Sequence, residues 1–191
     1  MSADNTPEYI KEALKFGINL GLERMEKLDS LLGDPQKDLK VIHIAGTNGK
    51  GSTSAFFASI LAASGKKVGV YTSPYLERFS ERMRVIDCKE GLEKLIRDET
   101  YGEISSEDLM RISDLVKNAS EQMVQEGYEH PTEFELVTAI CYMWFKEQNI
   151  DIAVLETGLG GRLDSTNVFD KPLCSVITAI GMDHCDRLGD T

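Results

Sequence analysis

No apolar run in this 191-residue sequence reaches the ~18 residues that a membrane-spanning helix requires. A basic excess is missing too: 21 lysines and arginines face 32 aspartates and glutamates, a formal net charge of -11. The summed field of such a chain repels a polyanion, which argues against a nucleic-acid partner and leaves room for a local cationic pocket only. Cysteine is scarce, and Cys88, Cys141, Cys174 and Cys185 form no C-x-x-C pair. Cys141 and Cys174 lie in apolar segments, so reduced thiols are favoured over disulfides or a zinc site. The stretch from Met1 to Glu8 has neither a basic n-region nor an apolar h-region. No secretory signal is read there, and a cytoplasmic location is expected. The length suits one domain, able to bury roughly 70% of its unfolded surface without a covalent staple.

What is present is organised around Val41 to Ser54. An apolar, β-branched run ends in Gly46-Thr47-Asn48-Gly49-Lys50-Gly51-Ser52-Thr53, and a helix-like pattern follows. Strand, glycine-rich turn and helix start together make a phosphate cradle. Glycine lets backbone N–H groups turn toward an anion, the helix N-terminus adds positive potential, and Lys50 supplies a mobile charge. Gly51 stands where a hydroxyl residue usually follows the lysine, and Ile44 where the leading glycine would be. A glycine-rich turn without a ligand is the competing reading.

Along the rest of the chain, Thr6-Pro7-Glu8 reads as a helix start with a hydroxyl N-cap and proline in the first turn. Leucines and Met25 recur at helical spacing from Leu20 to Leu32 before Gly33-Asp34-Pro35, completing an N-terminal helical pair over about residues 6 to 33. The pattern predicts a helix from Ala55 to Ser64 and a strand from Lys66 to Thr72. A charged surface loop and a short strand from Arg82 to Ile86 come next. Residues 87 to 104 read as acidic and weakly helical. Capping boxes at Ser105 to Asp108 and at Thr132 to Glu135 open two further helices, the second apolar almost all round. Strands are expected at Asp151 to Glu156 and Leu173 to Ile180. Strands alternating with helices imply an α/β fold with a doubly wound, mostly parallel sheet.

Ligands in such sheets sit beyond the carboxyl ends of the strands. Four strand ends carry suitable polar groups: the Lys50 loop, Ser73, Glu156 and His184. A strand-terminal carboxylate suits Mg²⁺ beside ATP phosphates. Taken singly, Glu156 reads equally as a solvated acid, His184 as a loop hydrogen-bonder and Ser73 as a turn residue. Arg162 and Asp164, charged residues in the Gly158-Leu159-Gly160-Gly161 loop, are expected to face a ligand because no packing reason for their charge is apparent.

Taken together, the Gly-Thr-Asn-Gly-Lys-Gly-Ser loop, Tyr71-Thr72-Ser73-Pro74, Arg78-Phe79-Ser80-Glu81-Arg82, Pro131 to Glu135, Glu156 to Asn167 and Asp183-His184 resemble, in order, the folylpolyglutamate/dihydrofolate synthases, relatives of the Mur ligases. The resemblance implies a Mur-ligase-like ATP-binding domain over residues 1 to 191 and an ATP- and Mg²⁺-dependent ligase adding L-glutamate to dihydropteroate or tetrahydrofolate through an acyl phosphate. It also implies roles. Gly46 to Thr53 would hold the nucleotide, with Lys50, Glu156 and His184 catalytic. Ser73, Glu156 and His184 would ligate metal, and Arg82, Thr132, Glu133, Phe134, Arg162 and Asp164 would border the pteroate or folate substrate. Family members continue past the equivalent of Thr191 into a carbamylated lysine and a glutamate-ligase domain. The expectation is therefore an N-terminal portion that binds nucleotide weakly and does not ligate alone, from a full-length form that is monomeric. Other Mur-type ligases and a P-loop nucleotide-binding module without ligase activity are the alternative readings.

Overall fold

The β-branched run at residues 41 to 45 forms the second strand from one edge of a five-stranded sheet. The computed structural model of the chain describes residues 6 to 183 and 189. Its strands are β1 (Val41–Ala45), β2 (Lys67–Tyr71), β3 (Met83–Asp87), β4 (Ile152–Glu156) and β5 (Cys174–Ile177), in the order β3-β2-β4-β1-β5. All neighbours pair in parallel except β2 and β3, which form an antiparallel edge. Residue pairing sets Ile44 beside Glu156, so the strand bearing the phosphate loop and the strand bearing the carboxylate end together.

Alternation along the strands sends side chains to two cores. On one face Val41, Tyr71, Met83, Val85, Ala153 and Leu155 pack against α1 (Glu8–Ala13), α2 (Glu23–Leu31), α5 (Ser106–Gln125) and α6 (Glu133–Glu147). On the other, Ile42, Ile44, Val68, Val70, Ile86 and Val154 meet α3 (Lys50–Ala63) and α4 (Cys88–Arg97). Helices therefore cover both faces of a mostly parallel sheet. Apolar all round, α6 is buried along most of its length, as a helix held between the sheet and three other helices must be. Its start is the reciprocal Thr132–Glu135 box: Thr132 Oγ1 accepts from the Glu135 N–H at 3.3 Å and Glu135 accepts from the Thr132 N–H at 2.7 Å. Ser105 caps α5 by accepting from the Asp108 N–H at 3.0 Å. Each cap stabilises its helix by about 1 kcal/mol.

Several local expectations need correction. Pro7, not Thr6, occupies the N-cap of α1, and no side chain caps it. Leu20 and Leu22 precede α2, which begins at Glu23. The helix after the phosphate loop starts at Lys50 rather than Ala55, because the glycines and hydroxyl residues of its first turn are already helical. Residues 88 to 97 are a regular helix: Leu92 and Leu95 pack on the second core while the opposite face stays in water. The last strand is limited to Cys174–Ile177 and is mostly exposed, so Cys174 lies at an edge and not in a core. Among the described residues no helix is long and apolar enough to cross a membrane, and Cys88, Cys141 and Cys174 are free thiols.

Candidate functional site

The C-terminal ends of β1, β4 and β5 open onto a cavity of about 600 Å³. Ala45, Gly46, Thr47 and Lys50 line one wall, Gly158 to Gly161 another, and Ile177 with residues 180 to 183 the third. Gly46 adopts φ 136, and a Cβ there would lie 2.1 Å from Thr178 Oγ1; only glycine lets the loop press against the end of β5. Thr47 and Asn48 donate their N–H groups to the Ala179 carbonyl at 2.9 and 3.3 Å. Those two amides serve the loop's own shape. The first-turn N–H groups of α3, at Lys50, Gly51 and Ser52, have no acceptor within a helix at that position and are the amides open to an anion. The Lys50 ammonium folds back over this turn, donating to the Gly46 carbonyl at 3.0 Å and the Thr47 carbonyl at 3.4 Å. Ser52 and Thr53 lie in the same turn.

Glu156 ends β4 beside the first turn of α3. Only 5% exposed, it accepts the Ser73 N–H at 3.4 Å on Oε2. The same oxygen would lie 3.6 Å from a Cβ built on Gly51. Burial pushes its carboxyl above the usual range, against the Ser73 amide and the positive charge of Lys50, which pull it down. A buried carboxylate with one weak amide donor and a lysine nearby is undercompensated, and a hard cation beside phosphate oxygens would complete it. The residues present therefore fit Mg²⁺. Among the described residues no cluster of three His, Cys, Asp or Glu side chains could hold a metal by protein ligands alone. His184 falls outside the described residues.

A second cavity, of about 350 Å³, lies on the other side of the Gly158-Leu159 wall and reaches Ser73. Arg82, Thr132, Glu133, Phe134 and Asp164 all line it, together with the loop from Gly17 to Leu20. Arg82 donates through Nη1 to Glu133 at 2.8 Å and lies over the Tyr75 and Phe79 rings. Its Nε, in a residue 8% exposed, has no acceptor among the described residues. Arg82 is the cation in this cavity's lining, the group suited to an anionic or carbonyl ligand. Phe134 offers a ring face, tilted toward Tyr71 at 5.9 Å between centroids.

Two loop residues behave differently from the sequence argument. Arg162 is exposed and lines neither cavity. Asp164 does reach the second cavity, but its charge has a structural use: Oδ2 accepts the Leu159 N–H at 2.7 Å, and Oδ1 accepts the Thr166 N–H at 3.0 Å and hydroxyl at 2.5 Å. The premise that nothing in the packing explains this carboxylate is wrong, because it ties the glycine-rich loop to itself.

Sequence reasoning missed three features. The segment from Leu14 to Leu20 forms a wall of the second cavity, and nothing in its pattern of mixed residues signals this. Arg24 reaches from α2 to Glu135 at 3.0 and 3.2 Å, anchoring the N-terminal helices to the start of α6. His43, within β1, contacts Thr166 Oγ1 at 2.8 Å; a histidine inside an apolar strand was the available signal.

No family model matches the chain. It is 44% identical over 184 residues to the dihydrofolate synthase/folylpolyglutamate synthase of Bacillus subtilis, covering 96% of this chain and 39% of that relative. The solved structure of E. coli FolC in complex with DHPP and ADP superposes with a TM-score of 0.80 at 34% identity, covering 100% of this chain and 42% of that one. An FPGS-AMPPCP-folate complex gives a TM-score of 0.78 at 35% identity, over 95% and 43% of the two chains. The chain thus spans about two fifths of the length of the relatives it matches.

Proposed function

We infer that this chain is the nucleotide-binding portion of a folylpolyglutamate/dihydrofolate synthase, the family to which its relatives and structural neighbours belong. For the protein as a whole we propose ATP-dependent ligation of L-glutamate to a pteroate or folate carboxylate. Similarity to chains bound to ADP, AMPPCP, DHPP and folate supports this over other Mur-type ligases and over a nucleotide-binding module without a second substrate.

The observation that carries the reading is the seam between the two cavities. Lys50 lines the larger one, Ser73, Arg82 and Phe134 the smaller, Gly158-Leu159 borders both, and Glu156 reaches the Ser73 amide from the end of β4. Joining a carboxylate to an amine requires a leaving group on the carboxylate carbon, and a γ-phosphoryl group held at this seam is positioned to supply one. In phosphoryl transfer the protein's task is mostly positioning and charge compensation. The α3 N-terminus binds the phosphates and Lys50 offsets charge gathering on the transferred oxygens. Glu156 and Ser73 are the residues that would hold Mg²⁺, which supplies further compensation between phosphate oxygens. Arg82, which lines the smaller cavity, orients the acceptor's carboxylate or carbonyl, and Phe134 stacks on the pterin. His184 is carried over from the family resemblance as a ligand of a second metal. Calorimetry of the chain with Mg·AMPPCP and with dihydropteroate tests the reading: two independent sites support it, and failure to bind either ligand overturns it.

A further inference from the structure

One buried polar chain links the strand that carries the phosphate loop to the wall between the cavities. His43 on β1, Thr166 and Asp164 are 7%, 0% and 3% exposed. The Thr166 hydroxyl donates to Asp164 Oδ1 at 2.5 Å, and a hydroxyl has one proton. The 2.8 Å contact between Thr166 Oγ1 and His43 Nε2 therefore requires a proton on Nε2. Burial, acting against the charge of Asp164, lowers the readiness of His43 to take a second proton, which favours a neutral ring with Nε2 as its donor. Asp164 uses its other oxygen to hold the Leu159 N–H at 2.7 Å.

We propose that His43 is a positioning residue. By donating to Thr166 it commits that hydroxyl's proton to Asp164, keeps the carboxylate an acceptor, and so holds the Gly158-Leu159 wall in the shape that fits the acceptor substrate. The Phe169 ring, edge-on to His43 at 5.1 Å between centroids, holds the imidazole plane. The substrate in question is the pterin-bearing carboxylate of the proposed function, and the inference rests on that reading for its consequence in binding. The relay itself stands on geometry alone. It couples the two sites through one strand: the backbone of β1 leads into the phosphate loop, and a side chain of the same strand sets the neighbouring wall.

Amide hydrogen exchange and ¹⁵N spectra of the 191-residue chain test it. In the wild type the His43 nitrogens report the neutral Nε2–H tautomer. His43→Leu, which removes the donor, speeds exchange at the Leu159 amide about tenfold, the size expected for losing one buried hydrogen bond. The Thr157 amide, bonded to the Ile44 carbonyl at 3.0 Å, serves as the control and is unchanged. His43→Gln, whose amide nitrogen replaces Nε2, restores Leu159 protection, whereas Thr166→Val reproduces the loss. Dihydropteroate affinity falls about tenfold in His43→Leu while Mg·AMPPCP affinity stays within about twofold. Equal protection of Leu159 in the Leu and wild-type chains, failure of Gln to rescue, or an Nδ1–H tautomer overturns the proposal. A wild type that binds neither ligand overturns the proposed function instead, and the tautomer and Leu159 readouts still decide the relay. If His43→Leu fails to fold, the wild-type tautomer and Thr166→Val decide it.

Discussion

Asp29 on α2 is wholly buried, and neither carboxylate oxygen has a hydrogen-bond partner among the described residues. Desolvation, reinforced by the charge of Asp34, pushes its pKa up from 3.8 to about 8. The folded chain therefore holds this proton where the unfolded chain has released it, and stability must fall as pH rises from the unfolded value toward the folded one. The slope is about 1.4 kcal/mol per pH unit for one group, so the penalty grows by roughly 4 kcal/mol between pH 5 and pH 8. That is a large share of a typical domain's stability, which is on the order of 5 to 15 kcal/mol. Asp29→Asn removes the titration while nearly keeping the shape. Urea unfolding of both chains across this range isolates the effect, because every other titrating group cancels in the difference. The variant's advantage over wild type should widen steadily from pH 5 and level off above about pH 8. Parallel stability curves would show that Asp29 is compensated in the folded chain and refute the reasoning.

Three further outcomes follow from particular contacts. Arg24→Ala leaves the Glu135 carboxylate buried without its bidentate cation, and should cost about 3 to 5 kcal/mol in urea unfolding. Gly158→Ala sets a Cβ 2.6 Å from Phe134 Cζ. The displaced ring should weaken dihydropteroate binding at least about tenfold, with Mg·AMPPCP affinity within about twofold, as calorimetry will show. Arg82→Gln, which removes the cationic guanidinium from the lining of the smaller cavity, should lower acceptor affinity by about tenfold without a matching loss for the nucleotide.

The individual strands and the glycine-rich turn before α3 were legible in the sequence because each is local. An apolar run followed by glycines and Lys50 needs no distant partner to be read, and the Thr132–Glu135 box announces α6 within four residues. Pairing across the chain was not legible. Nothing at Arg24 points to Glu135, 111 positions away, and nothing in residues 14 to 20 announces the wall of a cavity. Asp164 shows the same limit in miniature: a charged residue in a glycine-rich loop suggests a ligand, and while it lines the second cavity it also organises the turn through Leu159 and Thr166, which its neighbours in sequence do not announce. Residues 88 to 97 were underrated because charges dominate the segment, although Leu92 and Leu95 alone suffice to seat its inner face. The antiparallel edge at β3 and the exposure of β5 depend on sheet order, which no single strand encodes.

On the function proposed above, the Lys50 turn and Glu156 together receive a magnesium–triphosphate group. Calorimetric titration of Mg·AMPPCP into the wild-type chain and into Lys50→Ala and Glu156→Gln tests it directly, with circular dichroism to confirm that all three are folded. Binding should be saturable in the wild type and at least about tenfold weaker in each variant, with the Glu156→Gln loss vanishing when Mg²⁺ is replaced by EDTA. Wild-type affinity in both folded variants, or a Glu156→Gln loss that persists without the metal, would contradict it.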